Sequence, residues 1–413
     1  MSEIRKTALA AKAAQRELSQ ATEEEKNRAL YMISDAIEDS REKILSANAE
    51  DVRAARESEM SESLIDRLSL NEKRIHDMAQ GVREVAELDD PTGKILEEIR
   101  RPNGLLIKKV SCPIGVIGII YEARPNVTAE AASLTLKSGN AVVLRGSASA
   151  LKSNIALTEV MRDALNKSSI SPDVIALVRD VSHEGAKELM TMNDALDLLI
   201  PRGGAGLIDR VVKESTVPVI RTGVGNCHVY IDSTADKNTA IELTVNSKTG
   251  RPSTCNAAET LLISKDYPDI TGVLSALTNA GVTLHGCSKT CEIYPDALPA
   301  TEEDYEKEYL CLEMCVKIVS GIDEAIEHIS KYGTGHTELI ITSSDENAER
   351  FMNEVDAASV NFNASTRFTD GGQFGFGAEM GISTQKLHAR GPIGLKELTI
   401  YKYKVYGSGQ VRK

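Results

Sequence analysis

Over roughly its first 88 residues the chain repeats apolar positions at helical spacing. Leu30, Ile33, Ile37, Ile44 and Leu45 recur with charges between them, which predicts helix after helix. Ser61 before Leu64 and Asn71 before Glu72 read as helix starts. At Lys94 the period changes. Residues 95–101 and 105–110 flank Pro102-Asn103-Gly104, and Asn-Gly between apolar runs predicts a hairpin. Lying between a helical region and a sheet, this hairpin has no evident partner in its own domain and is expected at a contact between subunits.

Residues 114–121, Ile-Gly-Val-Ile-Gly-Ile-Ile-Tyr, suit a strand buried on both faces. Helices at 128–137, 151–166, 184–192 and 205–213 then alternate with strands at 141–144, 174–178, 196–200 and 217–220. That rhythm predicts an α/β domain with a parallel, Rossmann-type sheet and right-handed crossovers. A shorter alternation starts at 229–231 and runs through helix 239–248 and strand 260–263. It continues with helix 270–280, strands 282–284 and 316–319, helix 323–331, strand 339–342, helix 345–355 and strand 359–362. This predicts a second α/β domain. After glycine-rich residues 371–381, Thr399, Tyr401, Tyr403 and Val405 alternate as a terminal strand.

Composition adds bounds. At 413 residues, 41% hydrophobic and 26% charged, the chain reads as a soluble protein of two or three domains. No apolar run reaches the roughly 20 residues of a bilayer span. The first 20 residues lack an apolar signal core, and seven cysteines without such a signal point to a reducing cytoplasm. A formal charge of −13 argues against nucleic acid and requires that any anionic ligand be caught by local cations.

Four stretches carry candidate chemistry. Cys255 stands on a polar turn, Gly250-Arg251-Pro252-Ser253-Thr254-Cys255-Asn256, between a helix-like and a strand-like run. A packing cysteine belongs inside an apolar period, whereas Lys248 and Arg251 close by suit a thiolate; the turn alone leaves both readings open. Asn126 follows the first buried strand, where parallel sheets present ligands, and reads equally as a helix cap. Arg145, Gly146 and Ser147 end the next strand. With no acid between Ala141 and Ala150, they suit the 2′-phosphate of NADPH better than the ribose hydroxyl of NADH. Gly203 and Gly204 open a later helix and could bring N–H groups to a pyrophosphate, although Gly203-Gly204-Ala205-Gly206 departs from the dinucleotide fingerprint. The pairs Cys287/Cys291 and Cys311/Cys315 lack the tight spacing of a zinc site, so no metal is expected.

Taken together, 114–121 with Ala123-Arg124-Pro125-Asn126, Val143-Leu144-Arg145-Gly146-Ser147, Pro201-Arg202-Gly203-Gly204 and the Cys255 turn resemble one family. Thr222-Gly223-Val224-Gly225-Asn226-Cys227-His228 and Asn361-Phe362-Asn363-Ala364-Ser365-Thr366-Arg367 belong to the same set. They are similar to the gamma-glutamyl phosphate reductases of the aldehyde dehydrogenase superfamily. The resemblance implies an NADP(H)-binding domain over 1–94 and 112–227 and a catalytic domain over 228–363. It also implies an oligomerisation element from 95–111 and 385–413. It implies NADPH-dependent reduction of L-glutamyl 5-phosphate to the semialdehyde in proline biosynthesis, by a cytoplasmic homo-oligomer in transient contact with glutamate 5-kinase. Cys255 would form the thioester, with Asn126 and the Cys255 N–H holding the acyl oxygen. Glu308 falls where the superfamily often places an acid for the cofactor ribose.

The segment Arg221-Thr222-Gly223-Val224-Gly225-Asn226 has no acid where hydrolytic members carry the base that activates water. That departure would spare the thioester for phosphate or hydride. The rival expectations are a hydrolytic or CoA-linked reductase of another acyl group and a catalytically silent binding member of the fold. For the substrate carboxylate, Arg367 is the expected clamp, with Ser365 and Thr366 beside it, and Arg124 is the alternative.

Overall fold

The structure, a computed structural model, describes residues 1–412. It folds as two compact units. One comprises Met1–Arg221, Phe376–Gly381 and the chain from Ile393 onward; the other comprises Thr222–Gly375 and Ile382–Pro392. Lys413, which closes the expected terminal element, lies outside the described residues.

The first unit opens with α1 (Glu3–Leu18), α2 (Glu23–Asp39), α3 (Arg41–Glu57), α4 (Glu62–Leu68) and α5 (Glu72–Glu87). At the start of α2, Thr22 and Glu25 each accept the other's backbone N–H, a capping box that satisfies two orphan donors. The apolar stripes of these helices enter one core with a four-stranded parallel sheet. That sheet has the order β5 (Ile175–Leu177), β4 (Ala141–Arg145), β3 (Val116–Tyr121), β6 (Leu198–Arg202). Every residue of β3 is buried, as its unbroken apolar run requires. The crossovers are α6 (Asn126–Lys137), α7 (Leu151–Leu165) and α8 (His183–Met190), with α9 (Ala205–Glu214) after β6. Helix α6 stops because Gly139 takes a φ of +75°, in the left-handed region that side chains with a Cβ avoid.

The strand expected at 217–220 does not form. Leu199 N–H donates to Pro218 O and Ile220 N–H to Leu199 O, leaving a single bridge beside β6. Pro218 has no N–H to extend the ladder.

Within this unit the predicted hairpin does find a partner. Strands β1 (Ile95–Arg100) and β2 (Leu106–Pro113) join the last strand, β16 (Thr399–Tyr406), in an antiparallel sheet of order β1-β2-β16. Thr399 pairs with Pro113 and Tyr406 with Leu106. Ile95, Leu96, Ile400, Tyr401, Tyr403 and Val405 are exposed on it.

The second unit is built on a seven-stranded parallel sheet of order β10-β9-β11-β8-β7-β12-β13. Its strands are β7 (Cys227–Ile231), β8 (Ala258–Ser264), β9 (Thr283–Gly286), β10 (Leu298–Pro299), β11 (Glu313–Val319), β12 (Thr337–Ile341) and β13 (Ser359–Phe362). Helices α10 (Lys237–Thr249), α11 (Ile270–Asn279), α12 (Ser288–Ile293), α13 (Ile322–Tyr332) and α14 (Asp345–Glu354) connect them. The two faces make separate cores. Val229, Ile231, Leu261 and Ile263 pack on one side, while Tyr230, Leu262, Ile340 and Phe351 pack on the other, as the twofold side-chain period of a strand demands. A short pair, β14 (Ile382–Ser383) and β15 (Gly391–Pro392), completes this unit.

Candidate active site

In the second unit the Cys255 turn joins α10 to β8, at the amino end of the sheet. Its two ends are fastened by a fully buried ion pair, Lys248 in the last turn of α10 with Glu259 in β8. The other Glu259 oxygen accepts Leu310 N–H at 3.1 Å. Burial pushes the Glu259 carboxyl up to about 7 against the pull of Lys248. Inside the turn, Thr254 Oγ1 donates to Arg251 O at 2.8 Å, and Asn256 Nδ2 donates to Thr369 O at 2.9 Å. Cys255 itself is half-buried.

Two residues around the start of β7, Gly225 and Cys227, meet the backbone of this turn, and Glu308 supports the first of them. A Cβ on Gly225 would overlap the Cys255 carbonyl, so only glycine allows that approach. Glu308 Oε1 accepts the Gly225 N–H at 2.8 Å. Cys227 Sγ donates to the Cys255 carbonyl at 3.1 Å.

Of the expected substrate residues, Arg367 does reach this turn: its Nη1 donates to Thr254 Oγ1 at 2.6 Å. Burial and the neighbouring Arg251 lower the Arg367 pKa, while Asp370 and Cys255 oppose them. Ser365 and Thr366 precede it, and Ser365 Oγ accepts the Arg367 N–H at 3.3 Å. Both are buried; Ser365 Oγ lies 3.0 Å from Ser247 Oγ, which accepts Thr366 N–H at 3.3 Å. Ser365 Oγ and the Thr366 N–H fasten the loop to α10, while Thr366 Oγ1 is buried without a hydrogen-bond partner. Glu308, expected at a cofactor ribose, spends one oxygen on Gly225 as described.

The first unit holds the other expected residues. Asn126 is the first residue of α6 and is exposed; Pro125 occupies the cap position, so the helix-cap reading does not hold. Arg124, half-buried on the same turn, gives its carbonyl to Val127 N–H. At the carboxyl end of β4, Arg145 is nearly buried, and its Nη2 donates to Val181 O and Ser182 O at 2.6 and 2.8 Å. Its Nε is buried without a partner. Burial lowers its pKa, Asp180 opposes that, and Arg210 adds to it. Gly146 lies against the Asn154 amide, where a Cβ would overlap it, and Ser147 Oγ is 2.7 Å from Ser149 Oγ.

Gly203 and Gly204 stand at the start of α9, and Gly204 N–H donates to Glu122 Oε2 at 2.8 Å. A carboxylate of the chain thus already answers the positive end of that helix, where a pyrophosphate was expected. The contacts made by Glu122, Arg210, Gly225, Cys227 and the Lys248–Glu259 pair were not read from the sequence, although Gly225, Cys227 and Lys248 stood in its motifs. The pair had a signal in its flanking positions around the turn; the others become visible only once strands are registered. Among the described residues no group of three or more His, Cys, Asp or Glu could hold a metal ion, and no helix is long and apolar enough to cross a membrane.

Two α/β units, each built on a parallel sheet and one with a half-buried cysteine on a clamped turn, define a class. The model of the aldehyde dehydrogenase family matches residues 1–285. The chain superposes on a crystal structure of an acetylating aldehyde dehydrogenase from Geobacillus thermoglucosidasius with a TM-score of 0.70 at 18% identity, covering 100% of this chain and 98% of that one, a likeness of fold. Much nearer is the crystal structure of gamma-glutamyl phosphate reductase from Thermotoga maritima, with a TM-score of 0.98, 48% identity and 100% of both chains covered. Gamma-glutamyl phosphate reductase of Carboxydothermus hydrogenoformans is 54% identical and gamma-glutamyl phosphate reductase 1 of Bacillus licheniformis 52% identical, each over 100% of both chains. The chain belongs to the gamma-glutamyl phosphate reductases of the aldehyde dehydrogenase family.

Proposed function

We propose that the chain reduces L-glutamyl 5-phosphate to L-glutamate 5-semialdehyde with release of phosphate, a step of proline biosynthesis, with Cys255 as nucleophile and NADPH as reductant. The observation that carries this reading is the Cys255 turn. Its thiol is half-buried, its carbonyl is held from behind, and Arg367 and Arg251 bring positive charge to an acidic chain.

The Cys255 thiolate attacks the acyl carbon, the carbon–oxygen bond to phosphate breaks, and a thioester remains. The Cys255 N–H is the donor that this unit offers to the developing oxyanion. Bound NADPH supplies the hydride that takes the thioester to the aldehyde level. Collapse then returns the sulfur as thiolate and frees the semialdehyde. Glu259 is tied to Lys248 and Leu310, so the acid of this turn is not placed to activate water on the thioester. Arg367, fixed by Thr254, is the clamp for the substrate α-carboxylate; its planar fork gives two parallel N–H bonds that a lysine cannot match.

The residues at the end of β4 fit a phosphorylated cofactor. Arg145 is held by two carbonyls with Arg210 within electrostatic reach, and its Nε has no internal partner. Arg145, Gly146 and Ser147 would hold the 2′-phosphate end. The exposed apolar residues of β1 and β16 support a homo-oligomer built on that sheet.

The test runs the reaction in reverse. Glutamate semialdehyde with NADP⁺ should yield NADPH in steady state only when phosphate is present, and Cys255→Ser should yield none. Steady turnover on water or CoA without phosphate would favour another acyl reductase of the family.

A further inference from the structure

We propose that Cys227 is a positioning residue for Cys255: its thiol fixes the peptide that carries the nucleophile. The inference rests on the reading of Cys255 as nucleophile and adds a role to a second, buried cysteine. Cys227 is wholly inaccessible, and its Sγ lies 3.1 Å from the Cys255 carbonyl oxygen. On its other side stands His336 Nδ1, at 3.7 Å from the sulfur and 2.8 Å from Thr337 Oγ1. The nearer carbonyl takes the thiol hydrogen. Burial pushes the Cys227 thiol well up, so the sulfur stays protonated and remains a donor.

Position in the sheet places this side chain at the turn. Cys227 is the first residue of β7 and pairs with Ala258, the first residue of β8, three positions after Cys255. All five residues of β7 are buried, as in a strand covered on both faces. The next side chain, His228, meets Glu338, which accepts both its N–H and its ring contact. Two residues before Cys227 the Gly225 backbone closes on the same carbonyl, and Glu308 holds Gly225 by its N–H. The Cys255–Asn256 peptide is therefore fixed at its oxygen, which restricts the ψ angle of Cys255 and hence the direction of its side chain.

A plain packing role predicts a different order among variants. In a buried site, alanine or valine suits packing better than serine, whose hydroxyl must find a partner. A donor role predicts the reverse, because serine keeps an O–H for the Cys255 carbonyl. The experiment compares Cys227→Ala and Cys227→Ser by steady-state kinetics and by the rate at which iodoacetamide labels the Cys255 peptide, read by mass spectrometry. Expected is a loss of kcat in Cys227→Ala of about tenfold or more, within the roughly hundredfold that a small misplacement costs, with the KM for the semialdehyde little changed. Labelling of Cys255 should shift in the same variant, and Cys227→Ser should recover most of both losses. Cys227→Val, which fills the space without a donor, replaces alanine if that variant does not fold, and should behave as the alanine variant does. Alanine or valine equal to or better than serine in kcat and labelling would overturn the proposal. Failure of the nucleophile reading is told apart by Cys255→Ser: full turnover there removes Cys255 from the chemistry, whereas the Cys255 labelling rates report its position in either case.

Discussion

The two parallel sheets put their functional turns at opposite ends. In the first unit the candidate ligand residues follow the carboxyl ends of strands: Asn126 after β3, Arg145 at the end of β4, Gly203 and Gly204 after β6. That is the ordinary placement for an open α/β sheet, and β3 is apolar and buried up to Tyr121. In the second unit the cysteine turn lies at the amino end, before β8, and its supports precede β7 and β11. The strands there bury polar groups: Cys227 and His228 on β7, Glu259 on β8, Thr337 and Glu338 on β12. The first sheet is an apolar scaffold with its candidate residues at the rim. The second carries polar contacts through its interior to the back of the reactive turn, and that makes its core part of the site.

The largest effect on turnover should come from the closest approach. Gly225→Ala forces a Cβ into the Cys255 carbonyl, so the turn must move. Steady-state assays should show kcat reduced by about a hundredfold or more, the scale of a small misplacement. Activity near wild type would show that the turn adjusts freely, and the contrast between the sheets would fail.

The buried ion pair gives the next effect. Lys248→Met strands Glu259 in a site of no exposure, which should cost about 3–5 kcal/mol in urea unfolding. Adding Glu259→Leu should restore much of that loss, because the desolvated charge is then removed as well. A single mutant as stable as wild type would mean that the clamp contributes nothing.

Acid should act on the second unit. Burial holds His336 down at about 4; burial, with His228 and Lys317, holds His328 down at about 3. In the unfolded chain both imidazoles take a proton near pH 6.5, whereas in the folded protein they do so only at the lower values. Their contribution to stability is complete above about pH 6.5 and is lost as pH falls from there, through about 4 for His336 and about 3 for His328. Urea midpoints should therefore decline over that window, and His336→Gln should flatten the slope; an unchanged slope would remove His336 from this account.

The smallest effect belongs to the rim of the first sheet. Arg145→Ala should weaken NADPH binding by about 1.5–3 kcal/mol and NADH binding much less, measured by fluorescence titration. Equal losses on both cofactors would confine Arg145 to tying Val181 and Ser182.

The fold was largely legible because both domains alternate helix and strand with few interruptions, and the hairpin announced itself by Asn103-Gly104. The strand at 217–220 was not, since an apolar pattern there conceals the missing N–H of Pro218. At the site, Cys255 stood out by its polar surroundings. The setting of Ser365 and Thr366 was not legible, because a hydroxyl-rich loop looks the same whether its side chains face a ligand or fasten the loop. Cys227 and Gly225 were present in a recognised motif, yet their contacts with the Cys255 carbonyl depend on strand pairing and on a backbone approach that no local pattern encodes.

The central claim is that Cys255 carries the acyl group. Glutamate semialdehyde and NADP⁺, mixed with the enzyme in the absence of phosphate, should give a burst of NADPH of one equivalent per subunit and then stall. Quenched protein should carry the mass of a γ-glutamyl group on the Cys255 peptide, and phosphate added before quenching should remove it. A burst without that mass, or the mass on another residue, would contradict the account.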